Sequence, residues 1–337
     1  MLRNRRFLLR RRPNGEPVPQ DFELVSEPLP ALAEGQFLIR NHFASLDPAM
    51  RGSMDDADSY MPPIALDAPV RASTIGIVED SRAEGFAKGQ WVMGLNAIED
   101  YSIGVTGGFT QPIDPSLVPD VTNYLALFGA VGMTAYFGLF DVCQPKPGET
   151  VLVTGAAGAV GSIVGQLARI HGCRVVGIAG GPDKCARLTQ RYGFDVSIDY
   201  RGKDEAALTA AIAAAAPDGV DVIFENVGRI IFDAGLMNLN LHARIGLCGL
   251  ISEYNSPDPV GARNLWRLIV RRASIRGLLV VDYIARFGEG AAQMGQWAAQ
   301  GKIVVDEHID EGIENSYAAF MRLFSGTNQG KMILKIA

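Results

Sequence analysis

Between the apolar stretch Val151-Leu152-Val153 and a helical pattern from Ser162 to His171 runs Thr154-Gly155-Ala156-Ala157-Gly158-Ala159-Val160-Gly161. Side chains this small let a backbone close on a pyrophosphate, and the N–H groups at the helix start receive its charge. A glycine pattern alone is weak. Here a strand precedes it, a helix follows it, and a second strand comes one βα unit later. A tight turn in some other α/β sheet is the competing reading. That second strand ends Ile178-Ala179-Gly180-Gly181, with no acid to claim an adenosine ribose 2′-hydroxyl, and Lys184 follows in the first turn of the next helix. The small tip leaves room for a phosphate that an ammonium can neutralise, so the corner favours NADP over NAD. Taken alone, Lys184 reads as a solvated helix charge, as most lysines do.

Other redox chemistries leave marks that are missing here. No tyrosine has a lysine four residues later, which removes the Tyr-x-x-x-Lys pair of short-chain dehydrogenases. A zinc alcohol dehydrogenase needs Cys, His and Glu ligands near its amino end and a four-cysteine lobe. The first 140 residues hold one histidine, His42, and no cysteine. No metal is therefore expected. Cys143, Cys173, Cys185 and Cys248 share no ligand-like spacing and read as reduced, mostly buried thiols of a cytosolic protein.

These residues need a frame, and 337 residues suggest two domains. Up to about residue 120, short apolar runs such as Gln36 to Arg40, Thr74 to Val78 and Gln90 to Gly94 alternate with Gly, Pro and Asp clusters, the spacing of an antiparallel all-β unit. From about 150 the rhythm becomes strand-helix. Strands are expected over Arg174–Ala179, Asp195–Asp199, Val220–Glu225, Ala243–Gly249 and Ile275–Val281. Helices are expected over Pro182–Tyr192, Glu205–Ala216, Ile230–Leu241 and Tyr283–Gln300. Such alternation implies a parallel sheet covered on both faces. A strand near Ile303–Val305, a helix and a closing strand over Lys331–Ile336 then return the chain to the first domain. The expected division is 1–122 with 305–337 for the β-rich substrate domain, and 123–304 for the dinucleotide-binding domain.

Nearly half the residues are hydrophobic, which suits a soluble globular chain, and a net charge of -6 argues against a nucleic-acid partner. Arg3, Arg5, Arg6, Arg10, Arg11 and Arg12 crowd the first twelve residues. A transit peptide or a phosphate-binding arm is one reading. Phe7-Leu8-Leu9 among them favours a solvated edge strand. Val121 to Phe140 carries no charge over a membrane-spanning length. Asn123, Thr134 and three glycines within it, and Asp120 and Asp141 beside it, favour a buried helical segment between the domains. No membrane partner is expected.

Longer stretches carry a resemblance. They are Ser45-Leu46-Asp47-Pro48-Ala49-Met50-Arg51-Gly52, Gly132-Met133-Thr134-Ala135-Tyr136-Phe137-Gly138-Leu139, the glycine loop with Gly165-Gln166-Leu167-Ala168, and Glu225-Asn226-Val227-Gly228. Cys248-Gly249-Leu250-Ile251-Ser252-Glu253-Tyr254-Asn255 and Gly326-Thr327-Asn328-Gln329-Gly330-Lys331 complete the set. With them the chain resembles, nearly end to end, the zinc-free medium-chain dehydrogenases/reductases of the prostaglandin reductase and leukotriene hydroxydehydrogenase group, which includes alkenal and curcumin reductases. The resemblance implies an α/β fold, a Rossmann doubly wound parallel sheet plus a GroES-like β-rich domain. It also implies NADPH as cofactor and a homodimer, while the cysteines carry the expectation of a cytoplasmic location.

The resemblance also distributes roles. Gly158, Ala159, Val160 and Gly161 would lie under the pyrophosphate. Lys184 and Tyr200 would hold the 2′-phosphate, with Asn328 reaching across from the tail. Asn226 would contact the nicotinamide half; Cys248, Gly249, Leu250, Ile251, Ser252 and Tyr254, with a strand at Leu278, Leu279 and Val280, would line its pocket near Thr134. Simpler readings stay open at this point: Asn226 as a helix cap, Tyr200 as a packed surface aromatic, Asn328 as a turn residue. The implied reaction passes hydride to the β-carbon of a small enone or enal. Tyr254, the catalytic candidate, or a cofactor ribose hydroxyl would serve the oxyanion, with the phenol or water as proton source. Ala49 stands where the family commonly has a substrate-facing tyrosine, Ala97 to Tyr101 replaces a Trp-Gln-Glu-Tyr run, Glu225 replaces an aspartate, and Arg229 replaces a glycine. The rival readings are a quinone reductase of the same superfamily and a non-catalytic NADPH-binding scaffold.

Overall fold

The computed structural model describes residues 2–337. The arginine-rich start forms β1 (Arg3–Leu9), paired antiparallel with β2 (Phe22–Pro28). Phe7, Leu8 and Leu9 are buried, while Arg5 pairs with Asp100, Arg6 with Glu99 and Glu27, and Arg10 with Glu23 and Asp67. The basic cluster is thus neutralised from within, which leaves little charge for a polyanion. Then follow β3 (Gln36–Ser45), β4 (Arg71–Ser81), β5 (Trp91–Ala97), β6 (Tyr101–Val105) and β7 (Gln111–Pro112), all antiparallel.

The uncharged stretch after Asp120 is broken. A short 3₁₀ turn at Val121–Tyr124 is capped by the Asp120 carboxylate, and α1 (Ala130–Phe137) begins only after Gly129. Among the described residues no helix is long and apolar enough to cross a membrane.

Beyond α1 come β8 (Thr150–Val153), α2 (Ala159–Ile170), β9 (Arg174–Ala179), α3 (Pro182–Gln190), β10 (Val196–Asp199), α4 (Glu205–Ala215) and β11 (Val220–Glu225). They are followed by α5 (Arg229–Met237), β12 (Leu239–Leu247), α6 (Trp266–Arg271), β13 (Ser274–Gly277) and α7 (Phe287–Ala299). The six strands are parallel, in the order β10-β9-β8-β11-β12-β13. Val151, Leu152, Val153, Val176, Ile178, Ile223 and Phe224 are fully enclosed because helices cover both faces. This is the doubly wound Rossmann order, in which the chain adds strands first to one side of β8 and then, from β11 on, to the other. The chain ends with β14 (Glu307–Glu311), α8 (Ser316–Ser325) and β15 (Lys331–Lys335); β14 pairs with β15, and β15 with β3. Two compact units result, one running to Leu125 and resuming at Glu307, the other Ala126–Asp306.

Four boundaries differ from the sequence expectation. The helix expected over Ile230–Leu241 stops at Met237, and Leu239 already pairs with Val220. A register shift follows, with His242 at φ 62°, so β12 carries no clean alternation to announce it. The strand expected over Ile275–Val281 ends at Gly277; Leu278 makes one last bond to Leu247 O, and Leu278, Leu279 and Val280 leave the sheet. Val280–Arg286 is a 3₁₀ turn, so the helix expected from Tyr283 starts at Phe287. No strand forms at Ile303–Val305, because the Gln166 amide meets both the N–H and the C=O of Val304, at 2.7 and 2.9 Å, as a neighbouring strand would.

Candidate active site

The carboxyl ends of β8, β9, β10, β11 and β12 gather most of the expected site residues within one unit. After β8 the chain turns through the glycine loop, and Gly158 is the N-cap of α2. The first-turn N–H groups of Ala159, Val160 and Gly161 have no intrahelical carbonyl to bind and carry the positive end of the helix dipole. A Cβ on Gly161 would lie 2.5 Å from Gly155 O, so only glycine permits this fold-back. The loop fits a pyrophosphate in shape and charge.

The second corner is the tip of β9. Gly181, at φ +93°, donates its N–H to Asp199 Oδ1 at 2.8 Å, and the same oxygen accepts the Arg201 N–H at 3.0 Å. One carboxylate therefore joins the ends of β9 and β10 and is committed to backbone. The Tyr200 phenol lies against Gly180, 3.0 Å from where a Cβ there would stand. The pKa of Lys184, on the first turn of α3, is lowered chiefly by burial and then by Arg201 and Arg187. Sequence reasoning missed Arg201. The available signal was a cation next to Tyr200 just past a strand end.

The third part is a double turn after β11 and β12. Asn226 donates its backbone N–H to Thr154 Oγ1 at 2.8 Å and its side-chain amide to Thr154 O at 2.7 Å. Its side chain thus fastens the glycine loop, while Gly228 is the N-cap of α5. The Glu225 carbonyl accepts from Cys248 and Gly249, the Asn226 carbonyl from Ile251, and the Val227 carbonyl from Ser252. Leu250 donates its N–H to the Tyr254 hydroxyl at 3.2 Å, which closes the second turn upon itself.

Beneath lies Glu225, fully buried. Its Oε1 accepts from Val227 and Gly228 at 2.6 and 2.7 Å, while Oε2 has no hydrogen-bond partner among the described residues. Burial pushes its pKa up to about 7 against the pull of those N–H groups. Burial likewise pushes the Cys143 and Cys248 thiols up to about 12, so neither is a nucleophile at neutral pH. Arg229 sits at φ 48°, which accounts for a glycine being the easy choice there. Its guanidinium reaches the buried Glu253 carboxylate at 3.4 Å.

Other expected residues sit on other elements. Thr134 is half-buried on α1 and donates its hydroxyl to Ala130 O. Leu278, Leu279 and Val280 are half-buried and lie past the sheet rather than on a strand. Asn328 belongs to the other unit, buried in its own turn with its amide on Gly330 O. In that unit the buried Lys331 ammonium holds Leu46 O, Asp47 Oδ1 and Met332 O, and so anchors the loop that starts at Asp47. Among the described residues, no three His, Cys, Asp or Glu side chains are grouped as a metal ion would require.

Family models place residues 5–111 as the N-terminal domain of an oxidoreductase and residues 159–296 with the zinc-binding dehydrogenases. The NADPH-dependent curcumin reductase of Escherichia coli is 40% identical over 99% of this chain and 97% of its own. The NADP-dependent 2-alkenal reductase of Nicotiana tabacum is 37% identical over 99% and 98%. The crystal structure of CurA from Vibrio vulnificus in complex with NADPH superposes with a TM-score of 0.92, at 41% identity over 99% of each chain. The chain belongs to the zinc-free medium-chain dehydrogenases/reductases. It is a zinc-independent, NADP-dependent oxidoreductase of the group that holds the prostaglandin, alkenal and curcumin reductases.

Proposed function

We propose that this protein reduces the carbon–carbon double bond of small α,β-unsaturated ketones or aldehydes. NADPH, when bound, supplies the hydride, which the substrate receives at its β-carbon. The chain's own residues then have three tasks. Ala159, Val160 and Gly161 hold the pyrophosphate through backbone N–H groups, and Lys184 and Tyr200 hold the 2′-phosphate. Asn226 and the turn Cys248–Ser252 shape the nicotinamide end, with Thr134, Leu278, Leu279 and Val280 as further lining. Tyr254 serves the reacting carbonyl. Addition at the β-carbon drives negative charge onto the carbonyl oxygen, and a preorganised donor lowers that barrier. A phenol that accepts a backbone N–H, as Tyr254 does from Leu250, is polarised towards giving up its own hydrogen.

One observation carries the reading. Asn226 bonds the glycine loop through its amide and the Tyr254 turn through its carbonyl, so cradle and phenol belong to one hydrogen-bonded piece. The experiment is a panel of enones, enals and quinones assayed with NADPH and NADH. The expected result is turnover of enones or enals with NADPH. Turnover of quinones alone would make the protein a quinone reductase, and NADPH binding without turnover of any activated alkene would make it a scaffold. We further propose a homodimer, supported by the open edge of the parallel sheet at β13.

A further inference from the structure

The tip of β9 carries more positive charge than one phosphate ligand explains. Arg201 follows Tyr200 directly, and its backbone is pinned by the same Asp199 oxygen that holds Gly181. The side chain folds back over that glycine: Nη1 and Cζ lie 3.1 and 3.5 Å from where a Cβ on Gly181 would stand. The ring of Tyr200 stands in the same relation to Gly180. Two adjacent side chains are thus laid side by side over two adjacent glycines, and Lys184 rises from the following turn. Among the described residues no carboxylate is hydrogen-bonded to the Arg201 guanidinium; Asp199 Oδ1 is taken by the two N–H groups. Arg201 acts on Lys184 as a like charge that disfavours its ammonium form. The two cations share this tip with one carboxylate, Asp199, whose Oδ1 already accepts from two N–H groups, and a further anion between them relieves their mutual repulsion.

We infer that Arg201 is a second ligand of the adenosine 2′-phosphate and, with Lys184, sets the preference for the phosphorylated dinucleotide. The inference rests on NADP(H) being the cofactor. A planar guanidinium offers paired N–H donors to phosphate oxygens, whereas an ammonium acts as a point charge, so the two cations are complementary. The competing role for an arginine here is stacking on the adenine ring, which would serve NADH and NADPH alike.

The test measures dissociation constants of NADPH and NADH for the full chain and for Arg201→Ala, Arg201→Lys and Lys184→Ala. Competition by adenosine 2′,5′-bisphosphate and by adenosine 5′-monophosphate isolates the phosphate. Arg201→Ala is expected to weaken NADPH and the bisphosphate about tenfold, the scale of one charge-assisted hydrogen bond, while NADH and the monophosphate stay within about twofold. Arg201→Lys should recover part of the loss. Adding Lys184→Ala to Arg201→Ala should abolish discrimination between the dinucleotides. Equal losses for NADPH and NADH would transfer Arg201 to adenine stacking, and no loss for either would remove it from the site; both overturn the inference. If the unsubstituted protein held NADH as tightly as NADPH, the cofactor reading itself would fail, before any variant is made.

Discussion

Glu225 puts a carboxyl group in the interior with only one of its oxygens served. Its pKa is raised from 4.5 to about 7, chiefly by burial. Between those values the folded protein keeps a proton that the unfolded chain has released. Stability from this group is therefore complete below about pH 4.5, falls as pH rises, and levels off above about 7; the full swing is at most roughly 3 kcal/mol. Glu225→Gln does not titrate, though its amide leaves an orphaned donor where Oε2 stood. The thermal midpoint of the protein is expected to exceed that of the variant most at pH 5 and least at pH 8. Parallel pH curves for the two would show that this carboxyl does not titrate in that window. Residue identity made the strand, glycine loop and helix legible, because only small side chains let the backbone fold back at Gly161. It could not show Arg201, nor the partner of the Asn226 amide. Loop geometry alone sends those side chains to Gly181 and to Thr154.

At the scale of elements, the alternating strands and helices were readable because buried strands such as Val151-Leu152-Val153 leave no ambiguity of face. The errors fell where a side chain or a bulge replaces regular pairing, as Gln166 does for Val304 and His242 does within β12. The start of α5 poses a sharper question. Arg229 occupies the left-handed region at the first position of a helix, a conformation that costs an L-residue about 1–2 kcal/mol and glycine almost nothing. Against this stands its ion pair with Glu253, whose carboxylate is buried while the guanidinium is half-exposed. Arg229→Ala loses the pair and keeps the strain; Arg229→Gly loses the pair and the strain together. In denaturant unfolding the glycine variant should therefore be more stable than the alanine variant by about 1 kcal/mol, the reverse of the usual order at helical positions. An alanine variant as stable as the glycine variant would mean that the turn relaxes and stores no strain.

For the whole molecule, the division into a discontinuous β-rich unit and a continuous α/β unit follows from where strand-helix alternation begins and ends; the chain's rhythm sets the changes after residues 122 and 304, and the compact units change over after Leu125 and Asp306. Assembly is not announced in that way, because an edge strand has the same composition whether or not it is covered. β13 is the last strand of its sheet, and all four of its residues are exposed. Ile275 lies on it, and Trp266, Ile269 and Val270 of the preceding α6 are exposed as well. Open N–H and C=O groups beside an apolar patch form a template for another strand, and monomeric proteins shield such edges with charges, prolines or bulges. Arg276 is the one charged residue on this strand. A second copy related by a two-fold axis would pair β13 antiparallel with its own counterpart and cover the same patch on both protomers, which an isologous interface requires. Light scattering after size exclusion should give about twice the 36.2 kDa chain mass for the protein. Ile275→Asp, which places two like charges in the paired strands, should give the monomer mass while NADPH binding persists. A protein already monomeric at micromolar concentration, or a variant that stays dimeric, would move assembly away from this edge.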